Sequence, residues 1–299
     1  MLHTLLWLWR LWRTRETWRK HKEAPEDRFY LRFARGQRLM HAILILSFFT
    51  LALTGMSLKF SYAGWAMALS YVLGGFGVTG VLHRLAAVVL LGLFALHVRE
   101  LVKAKRASGG WLRFVFSPDS LMFNRNDLRE FWQSVKWFLG KGERPQFGRW
   151  TYWEKFDYFA VFWGVAVIGS TGLMLWFPEF FTRVLPGWTI NVATIIHSDE
   201  ALLAVAFIFT IHFFNTHFRP DKFPMDPVIF TRRVSLNELK HDKPAEYDAL
   251  MTSPNPEERI AGAMPRRRLL WFKTFGFIAL AIGLTLIGLI LWAMLFVYR

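Results

Sequence analysis

The 299-residue sequence contains no cysteine. Thiolate-held iron–sulfur clusters, haem attached covalently through a C-x-x-C-H motif and disulfide bonds are therefore excluded. A redox centre in this chain must take its ligands from other side chains, of which histidine and methionine are the usual ones. The sequence has 9 histidines and 10 methionines, so suitable ligands are present.

Acidic residues are few compared with basic ones. The chain has 22 Asp and Glu against 37 Lys and Arg, which gives a formal net charge of +15. A charge of this size is typical of nucleic-acid binding only when it forms a basic face on a folded domain. No such domain is apparent, so the sequence predicts no nucleic-acid partner.

Long apolar runs dominate the sequence. A helix needs about 20 mostly apolar residues to cross the hydrocarbon core of a bilayer. Five stretches meet this length: Leu39–Phe60, Val81–Val102, Phe156–Phe177, Asn191–Phe214 and Leu269–Tyr298. Each is predicted to be helical, because an open strand cannot satisfy its backbone hydrogen bonds in lipid. The sequence therefore predicts an all-α integral membrane protein, in which a four-helix transmembrane bundle is followed by a fifth transmembrane helix.

The predicted domains follow these runs. We expect a basic and amphipathic cytoplasmic segment at 1–38, the four-helix bundle at 39–218, a second loop at 219–268 and the fifth helix at 269–299. A cytoplasmic loop at 103–155 interrupts the bundle. Met1–Trp12 has no small-residue cleavage site, so it is predicted to be an interfacial helix instead of a secretory signal. The amphipathic stretch Asp127–Leu139 is also predicted to lie on the inner membrane surface.

The basic residues alternate between the connections. There are 10 before the first run, 11 in Lys103–Lys155 and 10 in Arg219–Arg268. Ser61–Thr79 has none, and Pro178–Ile196 has Arg183 alone. By the positive-inside rule, the N-terminus and both long loops are predicted to be cytoplasmic and the C-terminus to lie on the opposite side of the membrane. The basic side chains would meet anionic lipid headgroups on the cytoplasmic side.

Six of the nine histidines lie in or at the ends of the apolar runs: His41, His83, His97, His197, His212 and His217. Ionisable side chains are costly inside a membrane and usually serve a function there. The alternative for any single one is a hydrogen bond to a neighbouring helix. His3, His21 and His241 lie in basic or polar segments and are predicted to be solvated.

The spacing of these histidines predicts two levels of metal ligands. His83 and His97 are 14 residues apart, which is about 40° and ~21 Å along an α-helix. His197 and His212 are 15 residues apart, which is about 60° and ~22 Å. The two helices run in the same direction, so His83 faces His197 at the outer level and His97 faces His212 at the inner level. Two bis-histidine haems need this arrangement, whereas the ligands of one metal ion would lie within one coordination sphere.

The inner level leaves alternatives open. His41 starts the first run at the level of His97 and His212. It can replace His97 as the second ligand, line a quinone pocket, or pair with His217 around a third haem. His217 lies about 140° round an α-helix from His212, so it is predicted not to share that haem face.

Charged residues accompany both levels. Lys59 and Arg84 lie near the outer level and Arg99 near the inner one, where they can pair with haem propionates or extend to the headgroups. Three more lie at the inner start of the third run: Glu154, Lys155 and Asp157. They can relay protons to a quinone, or cap and anchor the helix.

A faint internal repeat relates the two halves of the bundle. Thr54–Phe60 ends the first run, and the similar segment Thr171–Phe177 ends the third run, 117 residues later. Two helical hairpins of similar plan explain this pattern. The fifth run is outside the repeat and has no His, Asp or Glu.

Several segments together resemble a known family: Arg35–His41, Leu82–Arg84, Thr151–Asp157, Ile196–Glu200 and His212–His217. Over about Arg32–Pro227 the chain resembles the membrane cytochrome b subunits of formate dehydrogenase, nickel–iron hydrogenase and thiosulfate reductase. The resemblance implies an outer haem held by His83 and His197, and an inner haem held by His41 and His212 with menaquinone beside it. The additional His97, the longer spacing on the fourth helix and the fifth helix depart from the family pattern.

The resemblance and the two levels predict a membrane cytochrome b subunit of a respiratory oxidoreductase complex, and the resemblance implies a bacterial inner membrane with the C-terminus in the periplasm. It would carry electrons through two b haems, or three if His41 and His217 form a further pair. The predicted partners are menaquinone or ubiquinone at the inner level, and a periplasmic cytochrome c or an iron–sulfur dehydrogenase subunit at the outer level. The alternative function is a polytopic transition-metal transporter or sensor that uses its intramembrane histidines.

Overall fold

The computed structural model describes residues 2–14, 28–219, 222–223 and 225–297. It contains five helices that are long and apolar enough to cross a membrane, here called spans one to five: Arg35–Lys59, Phe76–Ala107, Tyr152–Trp176, Trp188–Phe218 and Arg266–Val297. The predicted all-α membrane fold is confirmed. Most of the helices continue several residues past the apolar run, because polar ends can stay helical outside the hydrocarbon.

Span four is not α-helical throughout. It is α-helical over Trp188–Phe207 and continues with two π-helical segments, Ile208–His212 and Phe214–Phe218. The end of span five, Ala293–Val297, is also π-helical. Such turns are rare and occur frequently at functional sites. Because they change the rotation per residue, angles calculated for an α-helix do not hold on span four beyond Phe207.

The chain divides into two compact units. Unit 1 comprises Met1–Leu39, Ala104–Tyr158 and Ile211–Ala279, and unit 2 comprises Met40–Lys103, Phe159–Thr210 and Leu280–Arg299. Each of the five spans therefore contributes residues to both units. Shorter helices occur at Gly64–Val72, Trp111–Val115, Pro178–Phe181, Val228–Thr231 and, as a 3₁₀ turn, Pro256–Arg259.

An aromatic core holds the N-terminal helix in unit 1. This helix, Leu2–Arg13, packs on the loop helix Arg125–Phe138. Asn124 and Asp127 form a capping box at the start of the loop helix, which satisfies backbone N–H groups there. The core consists of large, mainly aromatic side chains: Trp7, Leu11, Phe138, Phe147, Tyr152, Trp153 and Phe214.

Unit 1 also contains a small sheet that the sequence analysis did not predict. Strand β1 (Phe29–Leu31) lies between β2 (Arg233–Ser235) and β3 (Ile260–Ala261) and is antiparallel to both. Helices Leu236–Asp242 and Pro244–Met251 follow β2. A second core joins these elements: Tyr30, Phe33, Val228, Val234, Leu239 and Leu250. The described residues of the connection between spans four and five are thus folded together with strand β1.

The turn into span two sets the start of the helix that carries His83. Gly74 and Gly75 have φ angles of +102° and +93°, which glycine adopts without the steric cost of a Cβ. The Ser70 and Thr79 hydroxyls form a buried hydrogen bond of 3.0 Å across this turn. Span two therefore begins at Phe76 from a fixed turn in unit 2.

Candidate functional site

His83 on span two and His197 on span four face each other in unit 2. Their ring centroids are 6.2 Å apart and their planes are inclined by 76°. Two imidazoles that bind one ion from opposite sides at about 2.0–2.1 Å, the value for zinc, have ring centres about 6.3 Å apart. The two rings therefore have the separation that a single metal with two axial imidazoles requires.

The Nδ1 atom of His83 is held by span one. It lies 3.0 Å from the hydroxyl oxygen of Thr54, and the carbonyl of Leu51 is a second partner. The Thr54 hydroxyl donates its own proton to the Thr50 carbonyl at 2.6 Å, so it accepts from His83. The ring proton therefore lies on Nδ1, and Nε2 is the nitrogen available to a metal.

Span three holds His197 in the same way. Its Nδ1 donates to the carbonyl of Ile168 at 3.0 Å and lies 3.4 Å from the hydroxyl of Thr171. The Thr171 hydroxyl donates to the Val167 carbonyl at 2.7 Å. Thr54 and Thr171 are the first residues of the two repeated segments, so the repeat provides equivalent supports for both histidines.

Two glycines make room for these rings. A Cβ atom added at Gly55 would lie 3.1 Å from Cε1 of His83, and one added at Gly172 would lie 2.9 Å from Cε1 of His197. Each ring therefore packs directly against the backbone of the neighbouring helix. The two imidazoles are paired, their tautomers are fixed, and each packs against a glycine of the neighbouring helix. These features fit the requirements of a bis-histidine haem.

The predicted propionate partners have other contacts. Lys59 pairs with Asp199 at 2.8 Å and donates to the Ser198 hydroxyl at 3.1 Å. The Arg84 guanidinium lies 5.8 Å from the ring centre of Trp176. Arg99 is exposed on span two. Their pairing with propionates stays a prediction.

His212 has a charged partner. Its Nδ1 lies 2.9 Å from Oδ2 of Asp157 on span three, and both residues belong to unit 1. An ionised carboxylate only accepts hydrogen bonds, so Nδ1 carries the proton and Nε2 is again available to a metal. The other Asp157 oxygen, Oδ1, is buried and has no hydrogen-bond partner within the described residues.

The second ligand at this level stays a prediction. His41 and His97 are half-buried and belong to unit 2, whereas His212 belongs to unit 1. The His97 ring meets the edge of Phe162, with 5.9 Å between the ring centroids. Each of the two therefore remains a candidate.

The π-helical turns change the basis of the prediction for His217. The 140° separation from His212 was calculated for an α-helix, and it does not apply where i→i+5 bonding replaces i→i+4 bonding. That His217 does not share the haem face of His212 stays a prediction. The His217 ring packs against Phe213, with centroids 5.9 Å apart. A haem held by His217 and His41 stays a prediction.

Glu154 is occupied by structural contacts. Its carboxylate accepts from the Thr151 backbone N–H and hydroxyl, at 2.8 and 2.9 Å, and from Lys243 at 2.6 Å. Arg32 lies 3.3 Å from its other oxygen. Burial lowers the pKa of the Lys243 ammonium to about 8, against the raising effect of Glu154. These contacts favour the anchoring alternative for Glu154 over a proton relay.

Lys155 is likewise engaged, in a buried ion pair with Asp127 at 2.8 Å. This pair joins span three to the first turn of the loop helix Arg125–Phe138. Of the three charged residues predicted at the start of span three, Asp157 is the one in contact with a predicted haem ligand.

His3 is a residue whose setting the sequence did not reveal. It was predicted to be solvated, but its ring lies in the aromatic core of unit 1, 5.7 Å from the Trp7 ring, and hydrogen-bonds the Tyr152 hydroxyl. Burial lowers the pKa of His3 to about 4. The prediction failed because partners on distant segments bury the ring. His21 lies outside the described residues.

A site for a single metal ion would need several ligands at one point. In the part of the chain that the structure describes, no three His, Asp or Glu side chains converge in this way. The transporter or sensor alternative therefore has no candidate ion site among those residues.

Comparison with known proteins gives one family. The family model of prokaryotic cytochrome b561 matches residues 32–219, which include spans one to four and leave span five outside. A comparison with curated proteins finds no match. The matched region contains all six histidines predicted as haem ligands. The chain therefore belongs to the prokaryotic cytochrome b561 family and is a multi-pass bacterial membrane cytochrome that binds haem b and serves electron transfer.

Proposed function

We propose that the chain carries electrons between a membrane quinone and a partner redox protein through two b haems. The observation that carries this proposal is the facing pair His83 and His197, with centroids 6.2 Å apart. Bound haem supplies the one-electron chemistry, while the protein positions the iron and adjusts its potential.

At the first site, His83 and His197 would hold the iron through Nε2. The Thr54 hydroxyl and the Ile168 carbonyl accept hydrogen bonds from the two Nδ1 atoms, which fixes the tautomer and the ring orientation. A partner such as a cytochrome c or an iron–sulfur subunit would exchange electrons at this level. The absence of Lys and Arg from Ser61–Thr79 supports a periplasmic position for this end of the spans.

At the second site, His212 would hold the iron together with His41 or His97. The family resemblance favours His41, and the 14-residue spacing from His83 favours His97. Menaquinone or ubiquinone would react at this level, near the cytoplasmic surface. A lipid-soluble electron carrier is implied because the neighbouring surface of the spans is apolar.

The test is the haem content of the purified full-length protein. We expect two low-spin b haems per chain, which acid acetone extracts because the sequence lacks the cysteines needed for covalent attachment. His83→Ala and His197→Ala should each lose the same haem, since a low-spin b haem needs two strong nitrogen ligands. His241→Ala, outside the spans, is the matched control and should retain both haems. One haem or none in the loaded wild-type protein contradicts the proposal.

The same spectra assign the second site. His212→Ala should lose the other haem and stop its reduction by a quinol. Of His41→Ala and His97→Ala, one should also lose that haem and the other should keep it. If both variants keep both low-spin haems, the second site is wrongly assigned. A third haem that disappears from both His41→Ala and His217→Ala would support the alternative pairing.

A further inference from the structure

The two predicted haem levels differ in the group that accepts the Nδ1 proton of the ligand. For His83 and His197 the acceptors are carbonyl and hydroxyl oxygens, which carry no net charge. For His212 the acceptor is the carboxylate of Asp157, at 2.9 Å. This difference between the two levels is a property of the chain and does not depend on a partner protein.

Among the described residues, the Asp157 carboxylate contacts no polar group other than the His212 imidazole. Its Oδ1 atom is buried without a hydrogen-bond partner among the described residues. The nearby basic side chain Lys155 is paired with Asp127 at 2.8 Å. An intramembrane carboxylate is costly unless a donor or a positive charge stabilises it. The carboxylate therefore acts mainly on the imidazole of His212.

We propose that Asp157 lowers the reduction potential of the haem held by His212, and that this haem is the lower-potential one of the two. The inference rests on the proposed ligation by His212. Asp157 is here a positioning residue, since it acts on the iron through the histidine.

The physical reason is ligand basicity. A charged acceptor binds an N–H group more strongly than a neutral acceptor does, and it makes the imidazole a more basic metal ligand. A more basic ligand stabilises the ferric state more than the ferrous state, because the ferric iron carries the higher charge. The one-electron couple therefore shifts to a lower potential.

This order of potentials gives the electron a favoured direction. When one electron passes from the His212 haem to the His83–His197 haem, the first iron is oxidised from ferrous to ferric. The second iron is reduced from ferric to ferrous, and no proton moves. Transfer from the quinone level to the partner level is then downhill.

The test is a redox titration of Asp157→Asn in the haem-loaded, full-length protein. The amide keeps the shape of the side chain and a neutral acceptor oxygen. We expect the lower midpoint potential to rise by at least 59 mV, which is a tenfold change in the equilibrium constant of a one-electron reduction. The higher midpoint potential should stay constant. Asp248→Asn removes an exposed carboxylate from the same unit and should move neither midpoint.

A second measurement assigns the midpoints without a change at Asp157. His212→Ala should remove the lower-potential component of the wild-type titration. Removal of the higher-potential component would overturn the inference, as would an unmoved midpoint in Asp157→Asn. If His212→Ala instead keeps both haems, the proposed ligand assignment has failed, which is a different result.

Discussion

The contact between Gly172 and His197 determines whether span four can present its histidine. At this position a methyl group would lie 2.9 Å from Cε1 of the ring, closer than side-chain contacts allow. The ring must turn or the two helices must separate. Either movement changes the position of the His197 Nε2 atom relative to the His83 ring.

We therefore expect Gly172→Ala to reduce haem binding. Overpacking at such a site costs about 1–3 kcal/mol, so the melting temperature of the protein should fall and the haem content per chain should drop. Gly164→Ala is the matched control on the same helix, because its Cβ would meet Ile168 Cδ1 at an ordinary 3.9 Å. Equal haem content in the two variants would contradict the close contact described for Gly172.

The histidines themselves could be predicted from the sequence, but their supports could not. The histidine spacing within each helix and the shared direction of the two helices predicted that His83 faces His197, and the contact between their rings confirms that they face each other. The pairing of His212 with Asp157 depends on the relation between two helices and on π-helical turns. The spacing of residues in the sequence specifies neither the relation between the two helices nor the π-helical turns.

The N-terminal helix Leu2–Arg13 has two apolar faces. One face carries Trp7 and Leu11 into the aromatic core of unit 1. The other leaves Leu5 and Trp12 exposed at 61% and 66%. Exposed leucine and tryptophan beside arginines are typical of helices that lie in the headgroup region. The face with Leu5 and Trp12 is therefore the one predicted to contact the membrane surface. The face with Trp7 and Leu11 attaches the helix to unit 1.

Docking of this helix should weaken in acid. The pKa of His3 is about 4 in the folded protein, below the ordinary 6.5, so the folded state favours the neutral ring. This stability is fully present above pH 6.5 and is lost as the pH falls towards 4, by up to about 3 kcal/mol. The fluorescence of Trp7, whose ring lies 5.7 Å from His3, should report undocking in that interval.

A His3→Gln variant provides the control, because its side chain does not titrate between pH 4 and 6.5. Its tryptophan fluorescence should lack the transition seen in the wild-type protein. If both proteins show the same acid transition, a group other than His3 controls the docking of the helix.

The long helices could be predicted from the sequence, whereas the sheet of unit 1 could not. An apolar run of about 20 residues is a strong local signal. The three strands contain two or three residues each, and β1 lies some 200 residues before β2 and β3 in the sequence. Their formation depends on the core around Tyr30 and Leu239, which exists only after the distant segments have met.

The orientation of the whole molecule in the membrane stays a prediction from charge. The 10 basic residues in Arg219–Arg268 belong to a connection that the positive-inside rule places in the cytoplasm. If each of the five spans found in the described residues crosses the bilayer once, the segments before span one and after span five are expected on opposite sides.

A topology reporter checks this orientation. A periplasm-dependent reporter fused after Arg299 should be active, and the same reporter inserted near Lys240 should be inactive. A cytoplasm-dependent reporter at the same two positions serves as the control and should give the opposite result. The reverse pattern would exchange the sides of the two haem levels and, with them, the sides of the quinone and the partner.

The repeated supports of His83 and His197 have a consequence for how such a protein can arise. Each hairpin contains one histidine together with its own threonine and glycine, Thr54–Gly55 in the first and Thr171–Gly172 in the second. Neither hairpin alone offers two axial ligands at this level. Two copies of a single hairpin would do so as a homodimer, with the iron on the symmetry axis. Within one chain the two hairpins can differ at their other ends, where the second hairpin carries the pair Asp157 and His212.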